Sequence, residues 1–198
     1  YSEIFPPTAP LDRILSHQAV ILSGGPNSVY DEGAPLPPPA LLEAGIPVLG
    51  ICYGMQAMAL LLGGKVEPSP HREYGRAEVA LEAADPLFEG VVPDAAAGCA
   101  TVWMSHGDTV LTPPPGFRQL ATTRSTPVAA MASPERRLYA VQFHPEVAHT
   151  PQGQRVLLLA GDLVLGRDVL GGLDHRVPRP GIEPEALQDD VFLVPGAA

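Results

Sequence analysis

The chain has 198 residues, of which 12 are basic and 22 acidic, giving a formal net charge of −10 at pH 7. This charge argues against a nucleic-acid partner, because phosphate contacts need clustered Lys and Arg. The length and the hydrophobic content of 45% are those of one globular domain with a substantial core and room for a short appendage.

No apolar run is long enough to cross a bilayer, since the best candidate, Val156 to Leu165, is interrupted by Asp162. No segment resembles a signal peptide. The two cysteines, Cys52 and Cys99, are too few for a disulfide framework. We therefore expect a reduced, cytoplasmic protein that does not bind a membrane. The chain begins at Tyr1 rather than at a methionine, which is typical of a fragment.

The first third of the chain alternates between apolar runs and helical patterns, which favours an α/β fold with parallel strands. The run Ala19 to Leu22 indicates a buried strand, and it ends in the glycine turn Ser23 to Pro26. Ligands of open α/β sheets bind beyond the carboxyl ends of such strands, although an isolated Gly-Gly pair is more often a plain turn. The other predicted elements are a strand at Ile4-Phe5, helices at Leu11 to His17 and Ala40 to Ala44, and a strand at Pro47 to Ile51.

A candidate nucleophile stands where the second buried strand meets a helix. The segment Gly50 to Gly54 has the pattern G-x-C-x-G, the cysteine counterpart of a strand–turn–helix elbow. Its glycines leave room for an unusual backbone angle at Cys52. The N-terminus of the following helix, Tyr53 to Leu62, favours thiolate over thiol. On these five residues alone, a small buried cysteine between a strand and a helix is an equally good interpretation.

The second half of the chain is rich in short strands separated by turns. Thr150-Pro151 has the composition of a helix start, so we expect a helix from Pro151 to about Leu159. Residues 161–198 are interrupted by glycine and proline, which indicates a peripheral, poorly ordered tail. The predicted strands are Arg76 to Leu81, Thr101 to Met104, Arg118 to Ala121, Val128 to Met131 and Leu138 to Phe143, with a hairpin turn at Ser133 to Arg136.

A cysteine nucleophile needs a base, and the base needs a group that orients it. His144 and Glu146 follow the last predicted strand, and Pro145 stiffens the backbone between them. Taken alone, this tetrapeptide from Phe143 is better explained as a solvated surface turn. Together with the elbow at Cys52, the triad becomes the favoured interpretation.

The remaining histidines carry weaker signals. His106 lies in Met104 to Asp108, at the end of a predicted strand, where Gly107 suits close backbone approach to a ligand. An ordinary loop turn is an equally good reading of that segment. His144, Glu146 and His149 lack the spacing of a zinc site, so no metal is expected.

Four segments occur together and in an order that resembles the class I, triad-type glutamine amidotransferases. The resemblance extends from Ile4 to Gly153 and is most similar to the GMP-forming branch of the family. It implies an α/β fold of flavodoxin-like type: an open mixed sheet with helices on both faces and a β-rich second half. The segments are Ser23 to Pro26, Gly50 to Gln56, Met104 to Asp108 and Gln142 to Val147.

The resemblance implies hydrolysis of glutamine to glutamate and ammonia. Cys52 would attack the side-chain amide, His144 would move the proton and Glu146 would orient His144. Backbone N–H groups of Gly24, Gly25 and Tyr53 would form the oxyanion hole. The residues that would hold the amino-acid head of glutamine are Gln56, Ser105, His106, Gly107 and Asp108.

By the same resemblance, the ammonia would go to an ATP-pyrophosphatase synthetase domain or subunit that aminates XMP to GMP. That partner would use ATP and Mg²⁺, and this chain would need no cofactor of its own. No Ser-Gly-Gly-x-Asp-Ser pyrophosphate loop occurs in the sequence.

Two departures from the family pattern affect the predicted domain boundaries. The family's first strand, central in its sheet, should precede Tyr1, and its absence predicts unpaired strand edges. At the other end, Val156 to Leu159 runs on into a tail that the family pattern does not match. We assign residues 1–160 to an N-terminally truncated amidotransferase domain and leave 161–198 as a tail of uncertain role. These mismatches favour a truncated chain over a stand-alone subunit.

Two alternatives to this interpretation stay open. One is the glutaminase of another class I amidotransferase, against which Trp103 to Asp108 and Val147 to Thr150 argue. The other is a non-catalytic remnant that only binds a synthetase partner or a ligand. The complete set Cys52, His144 and Glu146 argues against a remnant, whereas the missing first strand argues for it.

Overall fold

The computed structural model describes residues 2–82, 85–91, 99–164 and 190–193. Within these residues, one mixed sheet contains nine strands in the order β1-β9-β2-β3-β8-β7-β6-β4-β5. The elements are β1 (Ser2–Phe5), α1 (Leu11–Leu15), β2 (Ala19–Leu22), α2 (Pro39–Glu43), β3 (Val48–Ile51), α3 (Tyr53–Leu61), β4 (Lys65–Leu81), β5 (Cys99–Thr112), β6 (Arg118–Thr122), β7 (Ala130–Ser133), β8 (Leu138–Val141), α4 (Gly153–Val164) and β9 (Asp190–Leu193).

The sheet has a parallel half and an antiparallel half. Strands β1, β9, β2, β3 and β8 pair in parallel with one another. Strands β7, β6, β4 and β5 continue the sheet in antiparallel pairs. The predicted change from parallel α/β to a β-rich second half is therefore confirmed, and β8 is the strand at which the two halves meet.

Helices cover both faces of the sheet, as the resemblance implied. Alternate residues of a strand point to opposite faces, so Val20 and Val48 join one core while Ala19 and Leu49 join the other. The first core packs against α1, α2 and α3, and the second packs against α4. No helix in the described part of the chain is long and apolar enough to cross a membrane.

The longest pairing is between β4 and β5, which the sequence presented only as separate short strands. Two irregularities of register interrupt this hairpin, one at Lys65/Val66 and one between Pro68 and Glu73. Proline has no backbone N–H, so a strand that contains it loses ladder bonds at that point. The sequence prediction underestimated the length of both strands, because it relied on short apolar runs and the residues between them are polar or proline. His106, expected at a strand end, lies within β5 for the same reason.

The helix expected from Pro151 begins instead at Gly153. The Thr150 hydroxyl accepts a hydrogen bond from the Trp103 N–H at 3.0 Å and donates one to the His144 carbonyl at 2.6 Å. It is therefore occupied in joining two other segments and does not cap the helix. A Cβ at Gly153 would lie 2.0 Å from the Pro145 carbonyl oxygen, so only glycine allows the helix to start there.

The inner edges of β1 and β2 are not left unpaired, because β9 lies between the two strands and pairs in parallel with both. Among the described residues, β1 is the outermost strand on this side of the sheet, so its outer edge has no strand partner. Helix α4 continues past the predicted end of the domain to Val164. The rest of the predicted tail, 165–189 and 194–198, lies outside the described residues.

Helix α3 lies very close to β2, and this closeness generates a test of the fold. A Cβ at Gly54 would lie 2.0 Å from the Leu22 carbonyl oxygen, whereas one at Gly161 in α4 would meet no atom within 4 Å. We expect Gly54→Ala to lower the free energy of unfolding by about 3 kcal/mol, because the backbone itself must move.

The matched control is Gly161→Ala, which should leave stability unchanged or raise it by up to about 1 kcal/mol. Urea unfolding followed by circular dichroism measures both variants. Equal stabilities for the two variants would contradict the close packing of α3 on β2.

Candidate active site

Cys52 occupies the turn between β3 and α3 in a strained conformation. Its backbone has φ 50° and ψ −104°, an uncommon combination for a residue with a side chain. Its N–H donates to the Val141 carbonyl at 2.8 Å, and its carbonyl accepts from the Gln56 N–H at 3.2 Å. A Cβ at Gly50 would come within 2.9 Å of the Gly54 carbonyl, so the elbow requires glycine at Gly50. The structure thus forms the elbow that the sequence predicted.

His144 lies beside Cys52 and is fixed on several sides. The imidazole Nδ1 is 2.7 Å from Glu146 Oε1, which leaves the other ring nitrogen to face the sulfur. The backbone N–H of His144 donates to the Trp103 carbonyl at 2.9 Å. A Cβ at Gly24 would approach His144 Cε1 to 2.9 Å and Cys52 Cβ to 3.6 Å. The backbone of the Gly24 turn therefore lies directly against both side chains.

The electrostatics of His144 favour its charged form. The hydrogen bond to Cys52, followed by that to Glu146, raises the pKa of His144 to about 10, although burial acts in the opposite direction. His144 is therefore an imidazolium at neutral pH, and this cation lies beside the Cys52 sulfur. A neighbouring imidazolium is the environment that a cysteine nucleophile requires.

A cavity of about 650 Å³ opens in front of Cys52. Its lining includes most of the site residues that were predicted from the sequence. Gly24, Tyr53 and Glu146 do not line the cavity but lie within two positions of lining residues in the sequence. The roles predicted for these three residues stay predictions. The lining residues named from sequence are Gly25, Cys52, Gln56, Ser105, His106, Gly107, Asp108 and His144.

Backbone and side-chain groups of β5 form the wall opposite α3. The Asp108 carbonyl accepts hydrogen bonds from Gln56 Nε2 and from His106 Nδ1, both at 2.8 Å. The Asp108 carboxylate accepts a hydrogen bond from the Ser28 hydroxyl at 2.5 Å. Gln56 is almost fully buried, so its amide holds the wall of the cavity in place as well as lining it.

Several lining residues of the cavity were not predicted from the sequence, among them Ser28 and Arg72. Arg72 adds a positive charge to the lining. Ser28 lies in the loop after the glycine turn, and the sequence gave no indication that it would contact Asp108. Arg72 was inconspicuous because β4 was recognised only from Arg76 onwards.

A partly buried cluster of polar side chains contacts the Nε2 side of the His106 ring. Its Nε2 lies 3.6 Å from Glu73 Oε2 and 3.3 Å from Thr126 Oγ1. Thr126 and Thr123 both donate to the Glu73 carboxylate. Burial lowers the pKa of His106, although its hydrogen bond to Asp108 and the charge of Glu73 raise it. Neither Glu73 nor Thr126 belongs to a recognisable motif, so only the folded structure could identify them.

Comparison with known proteins places the chain in a family. The model of the glutamine amidotransferase class-I family matches residues 1–160. The chain therefore belongs to the class I glutamine amidotransferases.

Within this family, the chain is similar to curated enzymes of one kind. The chain is 54% identical over 159 residues to a GMP synthase [glutamine-hydrolyzing] of Thermus thermophilus, covering 79% of this chain and 30% of the relative. The corresponding enzyme of Methylococcus capsulatus is 52% identical over 163 residues, covering 79% and 31%. The chain thus spans about 30% of the length of the curated relatives it matches.

Solved structures agree on the fold. A Thermoplasma acidophilum protein proposed to be GMP synthase subunit a superposes with a TM-score of 0.69 at 27% identity, over 83% of this chain and 81% of that one. A glutamine amidotransferase of Thermotoga maritima gives a TM-score of 0.58 at 22% identity, covering 83% and 82%. The flavodoxin-like amidotransferase fold expected from the sequence is confirmed.

No three His, Cys, Asp or Glu side chains are grouped as a metal site would require in residues 2–82, 85–91, 99–164 and 190–193. The arrangement at Cys52 instead suits nucleophilic attack on a carbonyl-type carbon.

The geometry at Cys52 predicts selective thiol chemistry. Cys52 is only 2% exposed, whereas Cys99 is partly exposed. Accessibility alone would make Cys99 the faster to alkylate. We expect the reverse at pH 7, by about tenfold or more, because Cys52 faces a cavity and an imidazolium. Mass spectrometry of the two iodoacetamide-labelled peptides measures the ratio, and faster labelling of Cys99 would contradict the nucleophile assignment.

The lowered pKa of His106 predicts acid sensitivity. The unfolded chain binds this proton near pH 6.5 and the folded chain only at lower pH, so stability should fall as the pH drops below about 6.5. His106→Asn keeps a donor for the Asp108 carbonyl but does not titrate. The loss of unfolding free energy between pH 7.5 and 5.5 should be smaller in this variant than in the wild type. Urea titrations at both pH values test this, and an identical loss would assign the acid sensitivity to other groups.

Proposed function

We propose that the chain hydrolyses glutamine to glutamate and ammonia, as the glutaminase part of a GMP synthase. The observation that carries the proposal is the arrangement at the cavity lining: His144 is hydrogen-bonded to Glu146 and lies beside the strained nucleophile Cys52. The sequence identity of 54% to a glutamine-hydrolysing GMP synthase supports the choice of substrate.

The proposed reaction begins with attack of the Cys52 thiolate on the side-chain amide carbon of glutamine. The amide oxygen becomes an oxyanion, which backbone N–H groups of Gly24, Gly25 and Tyr53 would stabilise. Losing one donor of this kind typically costs about 10²–10³ in rate. The imidazolium of His144 gives its proton to the departing nitrogen, and ammonia leaves as the glutamyl thioester forms.

Water completes the proposed cycle. The neutral His144 accepts a proton from water as the water oxygen attacks the thioester carbon. The second oxyanion collapses, the C–S bond breaks, and the new γ-carboxylic acid leaves and loses its proton to solvent, giving glutamate. Cys52 returns as a thiolate and His144 as an imidazolium. Glu146 keeps the imidazole in one orientation throughout, because its carboxylate accepts the Nδ1 proton.

The entrance of the cavity suits the charged head of a free amino acid. Arg72 supplies a cation for the α-carboxylate, and Asp108 supplies a carboxylate for the α-ammonium. Gln56 and the segment 105–108 would contribute further polar contacts. A substrate with both charges next to an amide side chain, such as glutamine, fits this arrangement.

We further propose that the ammonia passes to a synthetase domain or subunit that aminates XMP. That partner would bind ATP and Mg²⁺, and the glutaminase step itself would use no cofactor. The relatives named GMP synthase are about three times as long as the matched region, which is consistent with such a partner. A cytoplasmic location follows from this role.

The test is glutamate release from glutamine by the purified chain, measured with and without a separately expressed XMP-amidating synthetase domain. We expect Cys52→Ala to lower release by at least about 10³-fold, because the variant lacks the sulfur that forms the thioester. Cys99→Ala is the matched control and should retain activity. Stimulation by the synthetase domain and XMP would support the GMP synthase assignment.

Three results would contradict the proposal at different levels. Release that persists in Cys52→Ala would remove the assigned nucleophile. Release that depends on Cys52 but is unaffected by the synthetase domain and XMP would support a glutaminase of another amidotransferase. A folded wild-type chain without any release in either setting would indicate a remnant that only binds its partner.

A further inference from the structure

Gln142 is a fully buried polar residue at the centre of the site that the proposed mechanism does not use. It follows β8 directly and precedes His144 by two positions. Its exposure is 0%, and its backbone N–H donates to the Ala129 carbonyl at 2.9 Å. Its side chain extends towards Cys52 and Gln56. A buried amide needs partners for both its oxygen and its nitrogen, because leaving either without one is costly.

The neighbouring amide fixes which end of Gln142 faces the sulfur. Gln56 Nε2 donates to the Asp108 carbonyl at 2.8 Å, which assigns the nitrogen of Gln56 to that side. The same nitrogen lies 3.4 Å from Gln142 Oε1. The oxygen of Gln142 therefore accepts from Gln56, and its NH₂ group lies 3.7 Å from Cys52 Sγ. The orientation of the amide follows from this hydrogen-bond chain.

The surroundings of the sulfur make this donor important. The Ser105 carbonyl oxygen lies 3.5 Å from Sγ and can accept only from the neutral thiol. That contact favours S–H over S⁻. Because Cys52 is 2% exposed, few water molecules can solvate a thiolate. Besides the N-terminus of α3, two side chains at the sulfur can favour the thiolate: the imidazole of His144 and the amide of Gln142.

We propose that Gln142 is a catalytic residue whose side-chain N–H donates a hydrogen bond to the Cys52 sulfur and stabilises the thiolate. The inference rests on the proposed glutaminase function and adds a group in contact with its reacting atom. The bond acts twice in the cycle. It raises the fraction of enzyme with a nucleophilic thiolate, and it stabilises the same thiolate when the glutamyl thioester breaks.

The first variant is Gln142→Glu, which keeps an oxygen for the Gln56 amide and nearly the same shape but replaces the donor to Cys52 by a carboxylate oxygen. The negative charge of this carboxylate would also disfavour the thiolate. The decisive variant is therefore Gln142→Met, which removes the donor without adding charge. Gln119→Glu is the matched control, since it makes the same substitution in β6, where the Gln119 amide donates to Glu82. All variants are made in a Cys99→Ala background, so that alkylation reports Cys52 alone.

The measurement is the rate constant of iodoacetamide labelling from pH 5 to 10, beside kcat/KM for glutamate release. We expect the midpoint of the labelling profile to rise by about one pH unit or more in both Gln142 variants, with rates below the midpoint falling about tenfold. The plateau at high pH should be unchanged or higher, because a less stabilised thiolate is more nucleophilic. The value of kcat/KM should fall about tenfold, while Gln119→Glu should match the wild type.

A merely structural role for Gln142 gives a different result. It would lower the melting temperature but leave the midpoint of the labelling profile within about 0.3 pH units of the wild type, and this would overturn the inference. Failure of both Gln142 variants to fold would assign the amide to stability and overturn it equally. A wild type in which Cys52 labels no faster than an ordinary thiol at pH 7 would instead contradict the glutaminase proposal itself.

Discussion

The backbone of Cys52 is held at φ 50° between β3 and α3, a conformation that costs a residue with a side chain about 1–3 kcal/mol. The surrounding structure supports it from several sides. The Cys52 N–H is bound to the end of β8, and its carbonyl begins the hydrogen bonding of α3. The close approach of Gly54 to Leu22 presses α3 onto β2, so the helix cannot move away and relax the turn. The position of the sulfur thus depends on packing that extends across three parallel strands.

The groups of the proposed active site come from both halves of the sheet. Cys52 and Gln56 belong to the parallel half, through β3 and α3. The segment 105–108 belongs to β5 at the far end of the sheet order. His144 follows β8, where the halves meet, but its backbone is bound to Trp103 of β5. The site is therefore assembled only when the β4–β5 hairpin lies over the carboxyl ends of the parallel strands. This arrangement explains why polar contacts such as that between Gln56 and Asp108 join residues far apart in sequence.

The parts of the site that sequence could predict are those with a local signature. Glycines on both sides of Cys52 indicated an elbow, and Pro145 fixed the spacing of His144 and Glu146. Neither signal was sufficient alone, and only their combination made the triad the favoured interpretation. The family resemblance then supplied the fold and the order of the motifs.

Glu73, Thr126 and Ser28 escaped prediction because their roles depend on long-range contacts and their local sequences are ordinary. The start of α4 was misplaced for a similar reason, since the Thr150 hydroxyl bonds to distant backbone groups. The position of β9 between β1 and β2 could not be read from a tail dominated by glycine and proline.

Thr150 joins the Trp103 N–H to the His144 carbonyl through one hydroxyl, and the Trp103 carbonyl in turn accepts the His144 N–H. These hydrogen bonds attach the backbone of His144 to β5. The short segment after β8 is in this way held from two sides, by the parallel strand that precedes it and by the antiparallel half of the sheet. The direction in which the imidazole faces Cys52 therefore depends on the β4–β5 hairpin as much as on β8.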